Sequence, residues 1–130
     1  MAMYKKIEIG GKPLELTSNA ATPRLYQKVF GKDLLKSFAN LNIDEGSTEA
    51  LDALDLIQGL AFVMNLQSQG KPFREIYTRT TDLDYLDWLE QFEDDDFKDP
   101  DKLREIVATW SSSARTSVQA KNQASPRSES

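Results

Sequence analysis

The chain has 130 residues, 21 Asp and Glu against 16 Lys and Arg, a net charge of −5, no Cys and no His. This length suits one domain with a modest core. The composition excludes a disulfide, a thiolate nucleophile, a Cys-ligated zinc and the imidazole used for most acid–base chemistry, and its acidic balance argues against a nucleic-acid-binding surface.

The charge is unevenly placed. Residues 1–81 hold nine acids and ten bases, and residues 102–130 hold two acids and five bases. Between them, residues 82–101 hold ten acids and one base, Lys98. Leucines and aromatics are threaded through that acidic block.

No apolar stretch follows Lys5-Lys6, so the start is not a signal peptide. The longest apolar-rich run, residues 56–66, is broken by Gln58, Gly59 and Asn65 and is too short to span a bilayer. A cytoplasmic protein is expected.

Residues 5–16 carry a β-hairpin signal. Ile7 and Ile9 share one face, Leu14 and Leu16 another, and Gly10-Gly11 suits a tight I′ turn. Pro13 confines the second strand to an edge or to an irregular start. A lone hairpin is marginal in water, so its apolar face is expected to lie on helices.

Thr22-Pro23 reads as an N-cap and first helical residue, followed by Leu25, Tyr26, Val29 and Phe30 at helical spacing and by Gly31 as terminator. Asp33 caps a second short helix with Leu34, Leu35, Phe38 and Leu41 on one side. After a polar connection at 42–47, Thr48 opens what is expected to be the longest helix, about 48–68, with Glu49 and Asp52 near its positive end. It is apolar around most of its circumference, so it belongs in the middle of the fold, with Gly59 permitting close helix approach and Gly70 ending it.

Residues 71–79 suit a turn or short helix. Thr81 and Asp84 resemble a capping box, after which Tyr85, Trp88, Leu89 and Phe92 recur at i, i+3, i+4 and i+7. Asp99-Pro100 starts the last helix, whose face is Leu103, Ile106, Val107 and Trp110. Eight of residues 111–130 are Ser or Thr, and Val118 is the only large apolar residue there. Such a segment buries too little to offset its ordering entropy, so residues 116–130 are expected to be a disordered Ser-rich tail after a domain spanning 1–115. The fold class is mainly α: an N-terminal β-hairpin packed on a compact bundle of about five helices.

No catalytic or metal-binding signature emerges. Asp94, Asp95 and Asp96 read as a charged loop rather than paired catalytic acids. Registers of the calcium-loop pattern starting at Asp82 or Asp94 fail at Leu86, or at Lys98 and Asp99. There is no GxGxxG, P-loop or nucleophile elbow, and Arg24 and Arg74 have no phosphate-binding context. No catalytic, cofactor or metal residue is assigned, and the protein is read as not an enzyme.

The chain does resemble a family in its order of elements. A hairpin is followed by Ala21-Thr-Pro-Arg-Leu-Tyr-Gln-Lys-Val-Phe-Gly-Lys-Asp-Leu-Leu35, then a helix with Leu60-Ala-Phe-Val-Met64, then Trp88-Leu-Glu-Gln-Phe-Glu93, a helix ending near Trp110 and a Ser-rich tail. Over about residues 3–115 this is similar to the tail assembly chaperones of long-tailed siphophages of Gram-positive hosts. The most specific piece is the Thr-Pro-Arg to Phe-Gly block directly after a hairpin. Residues 68–80, with Gly70-Lys71-Pro72 and Tyr77, depart from the pattern by forming a longer link.

The resemblance implies a non-enzymatic assembly factor in the host cytoplasm. It would coat the tape-measure protein, keep it soluble, help recruit major tail protein, and be absent from the mature virion. It also implies a second, frameshifted product. Ala120-Lys121-Asn122 is compatible with a slippery heptamer, although Lys-Asn is a common dipeptide. Self-association into oligomers is compatible with a client-coating role. The competing function is an acidic inhibitor that imitates DNA, disfavoured because the acids are concentrated rather than spread along a surface.

Two readings of the apolar residues stay open. Tyr85, Trp88, Leu89 and Phe92 are either core, or an exposed stripe that holds apolar client helices or a neighbouring copy while the acids keep the complex soluble. Trp110 is either core or an interface anchor beside the tail. These five are the candidate partner-binding residues.

Overall fold

The computed structural model describes residues 3–40, 50–93 and 95–124, without the side chains of 40, 50–53 and 113–124. Its elements are β1 (Met3–Ile9), β2 (Lys12–Ser18), α1 (Thr22–Phe30), α2 (Leu34–Asn40), α3 (Ala50–Gln67), α4 (Phe73–Arg79), α5 (Asp82–Leu89) and α6 (Pro100–Ala124). The fold is therefore mainly α with one antiparallel hairpin, as the hydrophobic spacing predicts.

The hairpin pairs Ile7 with Leu14 and Ile9 with Lys12 across a two-residue turn. Gly10 and Gly11 take φ of +60° and +78°, the left-handed pair that this turn needs. Ile7, Ile9, Leu14 and Leu16 are buried, while the alternate residues face solvent. The inner face rests on two helices, with β2 along α3 and β1 along α6.

α3 is the centre of the molecule. Residues 59–64 are buried without interruption, and Leu60, Ala61, Val63 and Met64 have no exposed surface. β2, α1 and α6 surround it, so no side of that stretch needs to be polar. At Gly59 a Cβ would lie 3.2 Å from the rings of Tyr26 and Phe30, so the glycine sets how closely α1 approaches.

Polar residues at the end of α3 secure what lies next to it. Asn65 Nδ2 and Ser68 Oγ donate to the Glu15 carbonyl at 3.0 and 2.8 Å. Gln67 Nε2 donates to Asn19 Oδ1 at 3.0 Å, and its Oε1 accepts from the Thr22 hydroxyl at 2.7 Å. Thr22 is fully buried, so this bond satisfies a group with no access to water.

Several expectations are corrected. Thr22 is the first residue of α1 rather than its N-cap, and Ala21 holds the cap position. Thr22's hydroxyl is turned to Gln67 instead of its own helix. Leu35 is 59 % exposed, because a seven-residue helix with Leu34 and Phe38 inward has no room for a third inward position beside them. Thr48, Glu49 and Leu41 lie outside the described residues.

Among the described residues the longest helix is α6, with 25 residues, while α3 has 18. The backbone of α6 runs to Ala124. Residues 114–124 contain Ala114, Gln119, Ala120, Lys121 and Gln123 and have neither Gly nor Pro, so the segment lacks a breaker even though it lacks a core face. α5 ends at Leu89, so Phe92 follows the helix in a turn instead of continuing its face.

Candidate functional site

The acidic helix α5 is built locally as its sequence requires. The Thr81 backbone N–H donates to the Asp84 carboxylate at 2.8 Å, the return half of a capping box. Asp82 and Asp84 sit in the first turn, where the helix dipole favours negative charge. No base occupies the last turn, and Asp87 and Glu90 stand there against the dipole.

The five candidate partner-binding residues are all placed inward. Tyr85 and Trp110 are buried, at 6 % and 7 % exposure. Trp88, Leu89 and Phe92 are half-buried and pack on the core. Tyr85 meets Phe30 edge-on at 4.9 Å, Trp88 meets Phe62 at 5.4 Å, and Phe92 meets Trp88 at 5.0 Å. Trp110 stacks on Phe38 at 4.8 Å. The Trp88 indole N–H donates to Asn65 Oδ1 at 3.1 Å, which fixes α5 to α3.

The stripe is thus brought together with the core rather than offered whole to a partner. The exposed leucines of α5 are Leu83 and Leu86, at 66 % and 55 %. A readable signal existed for them: they are three residues apart and out of phase with Tyr85, Trp88 and Leu89. Phe73 and Tyr77 of α4 are also partly exposed and touch each other at 5.7 Å. Lys28 lies over the Tyr77 ring at 5.5 Å and donates to the Thr80 carbonyl at 3.3 Å, tying α1 to the α4–α5 junction.

An open cleft of about 500 Å³ lies between α4 and α5. Phe62, Leu66, Ile76 and Trp88 give it apolar surface; Lys71 and Arg79 line it together with Glu75, Asp84 and Asp87. Residues 71–80 therefore form one wall of this cleft. Both charge signs are present.

Two buried phenols sit behind the cleft. Burial first, and the Asp55 carboxylate second, push the Tyr26 phenol up to about 12. Burial first, then the Asp55 charge, the Tyr26 phenol and the approach of the Asp55 carboxylate raise Tyr85 further. The Tyr85 hydroxyl is buried, and Asp55 approaches it without completing a hydrogen bond of good geometry. Its ring therefore contributes by packing, and its oxygen is a cost.

The loop after α5 holds the hairpin tip. The Asp96 carboxylate occupies the place a Cβ on Gly10 would take, and the same carboxylate accepts from the Glu93 N–H at 2.8 Å. Lys12 donates to the Gln91 carbonyl and lies 5.7 Å from the Phe92 ring centre. Asp95 is exposed and paired with Lys98 at 2.8 Å, which lowers its carboxyl below the ordinary value. Asp94 lies outside the described residues.

Among the described residues no cluster of three acids is arranged to hold a metal ion, and no helix is long and apolar enough to cross a membrane. No family model matches the chain, and neither does any curated protein or solved structure.

Proposed function

We propose that this chain is a non-enzymatic phage tail assembly chaperone. It binds the tape-measure protein, keeps that long helical client soluble in the host cytoplasm, helps recruit major tail protein, and leaves before the virion is complete. Self-association into several copies along one client fits the same role.

The observation that carries this reading is the distribution of exposed apolar surface. Tyr4 on the hairpin and Leu35 on α2 are single exposed apolar residues, whereas Phe73, Tyr77, Leu83 and Leu86 are grouped on the consecutive helices α4 and α5. Those helices also line the cleft over Trp88, and α5 carries Asp82, Asp84 and Asp87 of the acidic block. Apolar contact surface rimmed by charge suits a protein that masks client surface without precipitating itself. The order of hairpin, Thr-Pro-Arg to Phe-Gly helix, apolar central helix and acidic helix supports it too.

Within this reading the Tyr85, Trp88, Leu89 and Phe92 stripe positions the contact surface from behind, with Trp88 reaching the cleft wall. Co-expression with the tape-measure protein tests the proposal. Soluble tape-measure protein that co-purifies with this chain is the expected result. An insoluble client, with no co-purification, overturns it.

A further inference from the structure

The outer face of α5 has features that the fold does not need. Leu83 and Leu86 lie one turn apart with more than half their surface in water. Exposed Asp82, Asp87 and Glu90 frame them on the same helix and its cap. Among the described residues, no Lys or Arg comes within ion-pair distance of these three carboxylates.

Three other described acids are ion-paired. Asp95 pairs with Lys98 at 2.8 Å, Asp101 with Arg104 at 2.8 Å, and Glu105 with Lys5 at 3.6 Å and Lys102 at 3.9 Å. Asp82 is explained by the helix N-terminus, but Asp87 and Glu90 oppose the dipole at the other end. They are charges with no ion-pair partner among the described residues, beside leucines that are more than half exposed.

We propose that this face docks a basic amphipathic helix of a partner protein. Aliphatic side chains at i and i+3 or i+4 of that helix cover Leu83 and Leu86, and its flanking Lys or Arg side chains meet Asp82, Asp87 and Glu90. Charge complementarity selects the partner: a neutral or acidic helix would leave the carboxylates to be desolvated unpaired. The inference deepens the chaperone reading and rests on it for the partner's identity, because a long helical client offers such turns repeatedly. The contact is a single helical turn, so each site is weak and the affinity comes from many copies on one client.

The test uses the full chain and a synthetic leucine–lysine amphipathic helix, followed by backbone amide shifts in NMR titration. Shift changes centred on α5 are expected. Leu83→Ser with Leu86→Ser should weaken binding roughly tenfold or more. Asp87→Asn with Glu90→Gln should weaken it and flatten its salt dependence. All four positions are exposed, and circular dichroism of each variant confirms the fold.

Equal binding of a leucine–glutamate helix of the same pattern overturns the proposal. So does binding by the leucine variant within about twofold of the parent, or shift changes centred on the hairpin. A leucine variant that alters only self-association in sedimentation also overturns it, in favour of a second copy on this face. Tape-measure co-purification separates the two levels. If the parent and the leucine variant both retain the client, this inference fails and the chaperone reading stands. If the peptide binds α5 but the parent does not hold the client, the chaperone reading fails and the docking face stands.

Discussion

The same stretch of α3 borders two regions made on different principles. Around Leu60 to Met64 the hairpin, α1 and α6 close over side chains with almost no exposed surface, and buried polar groups such as Thr22 find partners. Around α4 and α5, aromatic rings are half-buried, the Tyr85 hydroxyl completes no hydrogen bond of good geometry, and leucines stand in water beside unpaired acids. The first region is optimised for the fold of one chain. The second has surface left over, and that is where a partner is to be sought.

This contrast is open to direct attack. The largest effect is expected in the closed region. Leu60→Ala removes a fully buried side chain and should cost about 3–5 kcal/mol in urea unfolding, enough to threaten the fold. Leu83→Ala on α5 serves as its counterpart below. A small loss at Leu60 would break the comparison.

Alkaline titration comes next. Tyr26, with its phenol raised to about 12, is neutral in the fold where an unfolded tyrosine begins to ionise near 10. Its contribution is fully present below pH 10 and is lost as pH rises from 10 to 12. The expected slope is about 1.4 kcal/mol per pH unit for each such phenol, Tyr85 included. Unfolding midpoints between pH 9 and 11, compared with Tyr26→Phe, check this; an identical slope in the variant would show that Tyr26 is not buried as described.

Two smaller tests sharpen the contrast between satisfied and unsatisfied polar groups. Thr22→Val leaves Gln67 Oε1 without its donor and should cost about 1–3 kcal/mol. Tyr85→Phe removes an oxygen that completes no hydrogen bond of good geometry, so it should be neutral or stabilising by up to about 1 kcal/mol. A clear loss at Tyr85 would reveal a bond to that hydroxyl. Leu83→Ala should change stability by about 0.5 kcal/mol or less, since it touches no core. Stability unmoved there, with client binding reduced, is the sharpest form of the comparison.

The closed region was the more legible in sequence. Alternating Ile7, Ile9, Leu14 and Leu16 around Gly10-Gly11 leave one register for a two-residue turn, and the structure adopts it. The uninterrupted apolar run in α3 could only be central, and Gly59 lies against the rings of α1. The α4–α5 corner was harder to read. Spacing places Tyr85, Trp88 and Leu89 on one face, but does not say whether that face meets solvent or Phe62. The answer depends on which tertiary neighbour arrives first at a mixed helix. Phe92 was misread as helical because apolar spacing continued past the point where α5 stops at Leu89. The exposure of Leu83 and Leu86 required knowing which side of α5 the core takes.

The seating of the hairpin tip has a consequence for how the chain is made. Gly10 packs on Asp96, Lys12 reaches Gln91, and Lys5 reaches Glu105. The hairpin is therefore completed by residues that follow it far along the chain, Gln91, Asp96 and Glu105. A two-stranded hairpin alone is marginal, and synthesis proceeds at about 5–20 residues per second. For several seconds the N-terminal strands must wait with Ile7, Ile9, Leu14 and Leu16 uncovered on at least one side. Final closure waits for that later segment, and a chain truncated before residue 91 should fail to hold the hairpin in place.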